Sequence, residues 1–136
     1  MMLFSFLNLI FWGFSPSSAA HSLQLNISNI IPGKGNVMIA VHNKDNYLQN
    51  RLFEKSISAT AETMKLNVEL PEGTYAVAVY QDLNQNAQLD SNVFGIPTEP
   101  YGFSNNVRPK LRAPSFDETR FAFFDNMSVN IRLEKW

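Results

Sequence analysis

The sequence predicts an all-β domain, an antiparallel two-sheet β-sandwich of about seven short strands with one long irregular loop. Three observations support this. Apolar and polar residues alternate in most segments after residue 21, which is the period of a half-buried strand. Clusters of Gly, Pro and Asn separate those segments, as turns do. No stretch carries the apolar spacing of a long helix, and a chain of 136 residues favours one domain.

The first 20 residues differ from the rest and predict a signal peptide. Residues 1–20 carry no charge, residues 3–14 are dominated by Leu, Phe, Ile and Trp, and Ser18, Ala19 and Ala20 are small. A Lys or Arg near the start is missing. The alternative is an uncleaved membrane anchor, but the apolar run is shorter than the roughly 20 residues that span a bilayer. We therefore expect a periplasmic or extracellular protein whose mature chain, 21–136, starts at His21 and has no transmembrane span.

The first half of the mature chain predicts three strands. The first alternates Leu23, Leu25 and Ile27 with polar residues, and residues 32–35 form a turn cluster of Pro, Gly and Lys. The second strand carries Val37, Ile39 and Val41 on one face and Met38 and Ala40 on the other, so it is expected to be buried on both sides. In residues 55–60, Ile57 and Ala59 alternate with Ser and Thr. This pattern is typical of an edge strand.

The middle of the chain predicts a hairpin. Leu66, Val68 and Leu70 alternate with polar residues, Pro71-Glu72-Gly73 closes that strand, and Tyr75, Val77 and Val79 follow with Ala76, Ala78 and Tyr80 on the opposite face. Because the turn between the two strands is short, we expect them to pair antiparallel with each other.

The last third predicts a long loop and two closing strands. Four of the seven prolines fall between Pro97 and Pro114, which argues against sheet there. Ser115 and Glu118 fit a capping box, and residues 120–124 and 128–133 are the closing strands. Two packed sheets, of the immunoglobulin or transthyretin kind, would bury the apolar faces. The predicted core is Leu23, Leu25, Ile27, Val37, Ile39, Val41, Leu66, Val68, Tyr75, Val77, Val79, Phe121, Phe123, Val129, Ile131 and Leu133.

Composition excludes several classes of function. Without cysteine, the chain has no disulfide, no thiol chemistry and no cysteine-based zinc site. A net charge of −1 argues against nucleic acid or an anionic membrane surface as the main partner. Arg108, Lys110 and Arg112 form a small basic cluster, which is typical of a solvated loop.

The segment after Tyr80 carries side-chain oxygens at alternate positions, in the order Asp82, Asn84, Asn86, Gln88 and Asp90. Ca²⁺ takes several oxygen ligands from carboxylates, amides and backbone carbonyls, and a loop that curls around the ion supplies them at this spacing. Gln88 would contribute its backbone carbonyl, and Glu99, brought back by the turns at Gly95 and Pro97, a third carboxylate. Ala87 and Val93 stand where the helix-loop-helix calcium pattern has Gly and Glu, so only weak binding is expected. The alternative is a loop ordered by Asx turns alone.

A specific run of residues resembles a known family. It comprises Gly73 to Asn92, reading GTYAVAVYQDLNQNAQLDSN, then Gly95 to Asn106, reading GIPTEPYGFSNN, then Pro114-Ser115-Phe116. This run resembles the bacterial secreted family named domain of unknown function 2141. The resemblance implies export and a small β domain, and implies no established activity. That family reads His-Asp where this chain has Gln81-Asp82, and often has Gly where it has Ala87.

We expect an exported, non-catalytic binding module. The proline-aromatic segment, with Tyr101, Phe103, Asn105 and Asn106, could present a patch at one end of the sandwich to an unknown envelope or extracellular ligand or protein. One alternative is a structural envelope protein without metal. Another is a small hydrolase that uses Asp82, Asp90 and Glu99 as paired carboxylates.

Overall fold

A computed structural model describes residues 20–49, 52–110 and 112–135, and residues 1–19 of the predicted signal peptide lie outside this range. The described chain forms eight strands and three helical turns. The strands are β1 Ala20–Ser28, β2 Asn36–His42, β3 Phe53–Ser58, β4 Met64–Pro71, β5 Gly73–Asp82, β6 Tyr101–Phe103, β7 Phe121–Phe123 and β8 Met127–Arg132. The helical turns are the 3-10 helices Lys44–Asn46 and Ser104–Asn106 and the α-helix α1 Phe116–Thr119.

The strands lie in two sheets, which confirms the predicted fold class. One sheet has the order β4-β1-β8, and the other has the order β3-β2-β5-β6 with β7 also paired to β5. β3 lies at the edge, as predicted. The expectation of purely antiparallel sheets was wrong for one pair, since β1 and β8 run parallel from Leu23↔Met127 to Ser28↔Arg132. Apolar alternation tells which face of a strand is buried, but it carries no information on the direction of its partner.

The predicted hairpin between β4 and β5 was wrong. β4 pairs with β1, whereas β5 pairs with β2, so the two consecutive strands belong to different sheets. Only Glu72 separates them, and the common hairpin turns need at least two residues. The chain therefore turns from one sheet to the other at this corner. The hydroxyl of Tyr75 braces the corner by donating to the carbonyl oxygen of Pro71 at 2.7 Å.

The expectation that no sheet occurs between Pro97 and Pro114 was also wrong, because β6 lies in that segment. Tyr101, Gly102 and Phe103 pair antiparallel with Tyr80, Val79 and Ala78. The flanking prolines confine this strand to three residues. Gly102 has no side chain where the neighbouring β8 passes: a Cβ there would lie 2.6 Å from the carbonyl oxygen of Arg132.

The space between the sheets is filled largely as predicted. Most of the predicted core residues are buried, and Leu66, Phe121 and Val129 are half-buried and packed against them. Ile30, Ala59 and Leu70 also belong to the core and were missed. Ile30 and Ala59 lie outside the strands. Ala59 continues the alternation of residues 55–60, whereas no alternation marks Ile30. The capping box is confirmed, since the Ser115 hydroxyl accepts from the Glu118 N–H and the Glu118 carboxylate accepts from the Ser115 N–H. In the described part of the chain, no helix is long and apolar enough to cross a membrane.

Candidate functional site: an acidic-amide loop over an apolar groove

The acidic-amide loop, residues 82–99, leaves β5 through a buried carboxylate. Asp82 is 1% exposed. Its two oxygens accept hydrogen bonds from the backbone N–H groups of Asn86, at 3.2 Å, and Ala87, at 2.7 Å. The backbone of Gln85 and Ala87 takes positive φ angles of 60° and 63°, which curls the chain back toward Asp82. The carboxylate at the end of β5 thus fixes the first turn of the loop.

The alternate spacing brings the other predicted ligands together. The side-chain amides of Asn84 and Asn86 donate to the two oxygens of the Asp90 carboxylate at 2.6 and 2.7 Å. The side-chain oxygen of Asn86 accepts from the Gln88 N–H at 3.0 Å, an Asx turn as the alternative interpretation expects. Asp82 joins this group through the N–H of Asn86.

Glu99 closes the loop from its far end. It is 4% exposed, and its oxygens accept from the N–H groups of Leu83, at 2.7 Å, and Asp90, at 2.9 Å. One carboxylate therefore ties both ends of the segment 83–90 together. Within the described residues, no three His, Asp or Glu side chains are grouped so that they could hold a metal ion by themselves. A cation here would need amide and backbone oxygens as well.

The structural role of Gln81 was not predicted from the sequence. Its buried side-chain amide donates to the carbonyl oxygens of Ile31 and Lys34, both at 2.7 Å, and accepts from the Ile31 N–H at 2.9 Å. These bonds fasten the turn between β1 and β2 to the end of β5. The signal was present in the sequence, because Gln81 continues the inward alternation of Tyr75, Val77 and Val79.

An apolar cavity lies on the outer face of the larger sheet. Two rows of cross-strand neighbours on β2, β5 and β6 form its floor. One row consists of Met38, Tyr80 and Tyr101, and the other consists of Ala40, Ala78 and Phe103. The two alanines leave a trough between larger side chains. The acidic-amide loop covers one side with Ala87, Gln88 and Leu89, and the resulting cavity measures about 420 Å³.

A second cavity of about 410 Å³ adjoins the first. The two share Leu89, Tyr101 and Phe103 in their walls, and we call them together the groove. Phe94, Ile96, Pro97, Pro109 and Pro114 are among the residues that line the second cavity. The two cavities of the groove are thus adjacent, and their lining is mainly aliphatic, aromatic and proline residues.

Three of the six large apolar side chains that are exposed in the described residues line the groove. Phe94 is 83% exposed, and Leu48 and Leu89 are also exposed. Leu48 lines the first cavity, Phe94 lines the second, and Leu89 lines both. Val93, beside Phe94, is 93% exposed. Apolar surface gathered around a concave site is typical of a place where a ligand or partner binds.

The four residues predicted to bind a ligand lie in two different places. Tyr101 and Phe103 line the groove and contact each other edge to face, with ring centroids 6.2 Å apart. The Asn105 amide donates to the carbonyl oxygens of Glu118 and Arg120. The Asn106 amide donates to the Asn130 carbonyl and accepts from the Arg132 N–H. Asn106 therefore occupies the backbone groups on the free edge of β8, which discourages pairing with another chain.

The comparisons with known proteins bear on this loop and groove. The sequence model of a bacterial family, described as an uncharacterised protein conserved in bacteria (DUF2141), matches residues 25–132. The chain belongs to this family. The part of this DUF2141 chain that matches contains the whole acidic-amide loop and the whole groove. Neither the curated proteins nor the solved structures gave a match.

Proposed function

We propose that this DUF2141 domain is an exported, non-catalytic binding module that takes an apolar small molecule in the groove. The observation that carries the proposal is that two adjacent apolar cavities share Leu89, Tyr101 and Phe103 in their walls. Each cavity falls in the range of about 300–1,000 Å³ that is usual for small-molecule sites. Export rests on the composition of residues 1–20, and N-terminal sequencing of the secreted protein tests it: an intact Met1 would contradict cleavage before His21.

The floor of the groove supports binding in a second way. A sheet face that only meets solvent normally carries polar side chains, whereas this one carries Met38, Ala40, Ala78 and Phe103 beside Tyr80. Transfer of this surface out of water by a ligand is favourable at about 25 cal/mol per Å² of apolar area. The carboxylates of Asp82 and Glu99 are occupied by backbone N–H groups, which favours a binding role over the paired-carboxylate hydrolase.

A filling mutation tests the groove. We expect N-phenyl-1-naphthylamine, a neutral probe whose fluorescence rises in apolar surroundings, to bind the wild-type protein. Ala78→Phe places a ring in the trough between Ala40 and Phe103 and should weaken probe affinity at least tenfold, equivalent to about 1.4 kcal/mol. Fluorescence titration measures the affinity, and circular dichroism verifies the fold of each variant.

The matched control is Ala61→Phe, the same change at an exposed position between β3 and β4. It should leave probe binding unchanged. If the wild-type protein does not bind the probe, or if the two variants bind it equally well, the groove is not a ligand site. A structural role in the cell envelope would then be the better account.

We also propose weak Ca²⁺ binding by the acidic-amide loop, as a second candidate function. The supporting observation is that the amides of Asn84 and Asn86 both reach the Asp90 carboxylate. Rotation of these amides would turn their oxygens toward a cation beside Asp90, and Asp82, Gln88 and Glu99 lie in the same loop. Because the carboxylates of Asp82 and Glu99 already accept backbone N–H groups, Asp90 would supply the main charge, and the affinity should be no higher than that of extracellular calcium modules, on the order of 10⁻⁴–10⁻³ M.

Calcium is therefore expected to raise the melting temperature. At a free concentration about ten times the dissociation constant, binding stabilises the fold by roughly 1.4 kcal/mol, which corresponds to a rise of a few degrees. Asp90→Asn should abolish the rise, and Asp125→Asn, outside the loop, should retain it. Thermal denaturation followed by circular dichroism measures both. A wild-type melting temperature that millimolar calcium leaves unmoved would mean that Asx turns and buried carboxylates alone hold the loop.

A further inference from the structure

Basic residues lie at the end of the groove that the second cavity forms, the Arg112 end. Arg112 lines that cavity, beside Pro109 and Ala113. Arg108 and Lys110 flank Pro109 in the sequence. An anionic group on a ligand is therefore favoured at the Arg112 end.

The basic cluster at the Arg112 end has one cation without a carboxylate partner among the described residues. Arg112 forms two hydrogen bonds to the Glu118 carboxylate, at 2.7 and 3.1 Å, and these bonds, together with one from the Ser115 N–H, lower the pKa of Glu118 to about 2. Arg108 lies 3.8 Å from the Glu134 carboxylate and stacks on the Tyr101 ring at 4.2 Å. Lys110 is exposed and pairs with no described carboxylate. Lys110 follows Pro109, which lines the second cavity, and it leaves the basic cluster with one positive charge that Glu118 and Glu134 do not offset.

We infer that the groove takes a single-chain anionic amphiphile, a molecule with an apolar chain and a terminal carboxylate of the fatty-acid type. This inference rests on the proposed function. The chain would lie over the alanine trough and along Leu89 and Phe103, and the carboxylate would lie at the basic end, near Lys110. Binding would also cover the exposed ring of Phe94, which lines the same cavity as Arg112.

Charge complementarity sets the expected size of the head-group effect. An exposed ion pair contributes about 0.2–1 kcal/mol, so a carboxylate should bind about 1.4-fold to fivefold more tightly than a neutral head group on the same chain. High salt should reduce this preference, because it screens exposed charges. The apolar part of the affinity should be insensitive to salt at these concentrations.

The experiment measures displacement of N-phenyl-1-naphthylamine from the full mature chain by octanoate and by octan-1-ol, which share a chain length and differ in charge. We expect octanoate to displace the probe at the lower concentration, and we expect Lys110→Glu to abolish or invert this preference. Lys65→Glu makes the same change of net charge on β4, in the other sheet, and should retain it. Both lysines are exposed, so both variants are expected to fold.

The outcomes separate this inference from the proposed function. If both molecules displace the probe equally from the wild-type protein, or if Lys65→Glu acts like Lys110→Glu, the groove binds apolar ligands without a preference for an anionic head group. The inference is then overturned. If the probe does not bind at all, the proposed function fails and this inference fails with it. Co-sedimentation with phosphatidylglycerol vesicles, without displacement of the probe by octanoate, would indicate a membrane surface instead and would also overturn the inference.

Discussion

Replacing Val77 by aspartate is expected to unfold the domain. Val77 is 0% exposed, pairs with Val41 of β2, and belongs to the core between the sheets. No Lys or Arg is buried among the described residues. An uncompensated buried charge costs about 3–5 kcal/mol, and the lost valine packing adds to that cost. Small domains are stable by only about 5–15 kcal/mol, so little or no folded protein should remain.

The matched control is Val93→Asp, the same substitution at a side chain that is 93% exposed. Its free energy of unfolding should stay within about 0.5 kcal/mol of the wild-type value, as is usual for surface changes. Urea denaturation followed by circular dichroism measures both variants. A Val77→Asp protein with the wild-type midpoint would contradict the packing of β5 against the other sheet.

The strands could be predicted because burial on one face leaves a mark in the sequence. Leu23, Leu25 and Ile27 alternate with polar residues, and each lies on the core face of β1. The same alternation located β2, β4, β5 and β8. It failed at Ile30, a single residue that enters the core from outside the strands, and Ala59 was missed because its segment was taken as an edge strand.

Pairing could not be predicted in the same way. The alternation of β4 and β5 is equally compatible with a hairpin and with two strands that face each other across the core. The single residue Glu72 between them decides in favour of the second arrangement, because it is too short for the common hairpin turns. The direction of a strand relative to its partner could not be predicted either. The alternation of Val129 and Ile131 is the same for parallel and for antiparallel pairing with β1.

The candidate site was predictable in part. The alternate spacing correctly indicated that Asn84, Asn86 and Asp90 lie together, because residues two apart on a curled loop share a side. It did not show that the buried carboxylates of Asp82 and Glu99 accept backbone N–H groups, since those contacts depend on how the loop closes. The groove itself was not predicted. The sequence indicated only that the second face of β2 is covered and that Tyr101 and Phe103 could bind a ligand. Whether the trough at Ala40 and Ala78 is filled depends on the path of the loop above it.

Replacing Gly35 by alanine is expected to have the second largest effect. Gly35 lies in the turn before β2 with a φ of +64°, and its carbonyl accepts from the Ala59 N–H at 3.0 Å. A Cβ at this position would overlap the carbonyl oxygen of Asp82 and lie 2.9 Å from the Leu83 Cα. Because these are backbone atoms, no rotamer change relieves the overlap. Either the turn or the start of the acidic-amide loop must move.

Gly33 supplies the matched control in the same turn. Its φ of +80° is also positive, but a Cβ there would meet nothing within 4 Å. Gly33→Ala should cost only the backbone strain of about 1–2 kcal/mol, whereas Gly35→Ala should add an overpacking cost of about 1–3 kcal/mol. Urea denaturation of both variants gives the difference. Equal destabilisation by the two variants would show that the close approach of the turn to Asp82 adds nothing to the cost of Gly35→Ala.

Hydrogen exchange adds a readout that general destabilisation would not produce. The N–H groups of Asn86 and Ala87 are protected by the Asp82 carboxylate, and displacement of Asp82 by the new methyl group would break those bonds. Under native conditions, Gly35→Ala should therefore speed exchange at these two amides more than at Val79, in the middle of β5. Gly33→Ala should leave their relative rates unchanged. If Asn86 and Ala87 keep their protection in Gly35→Ala, the turn yields instead of the loop, and Gly35 does not position the acidic-amide loop.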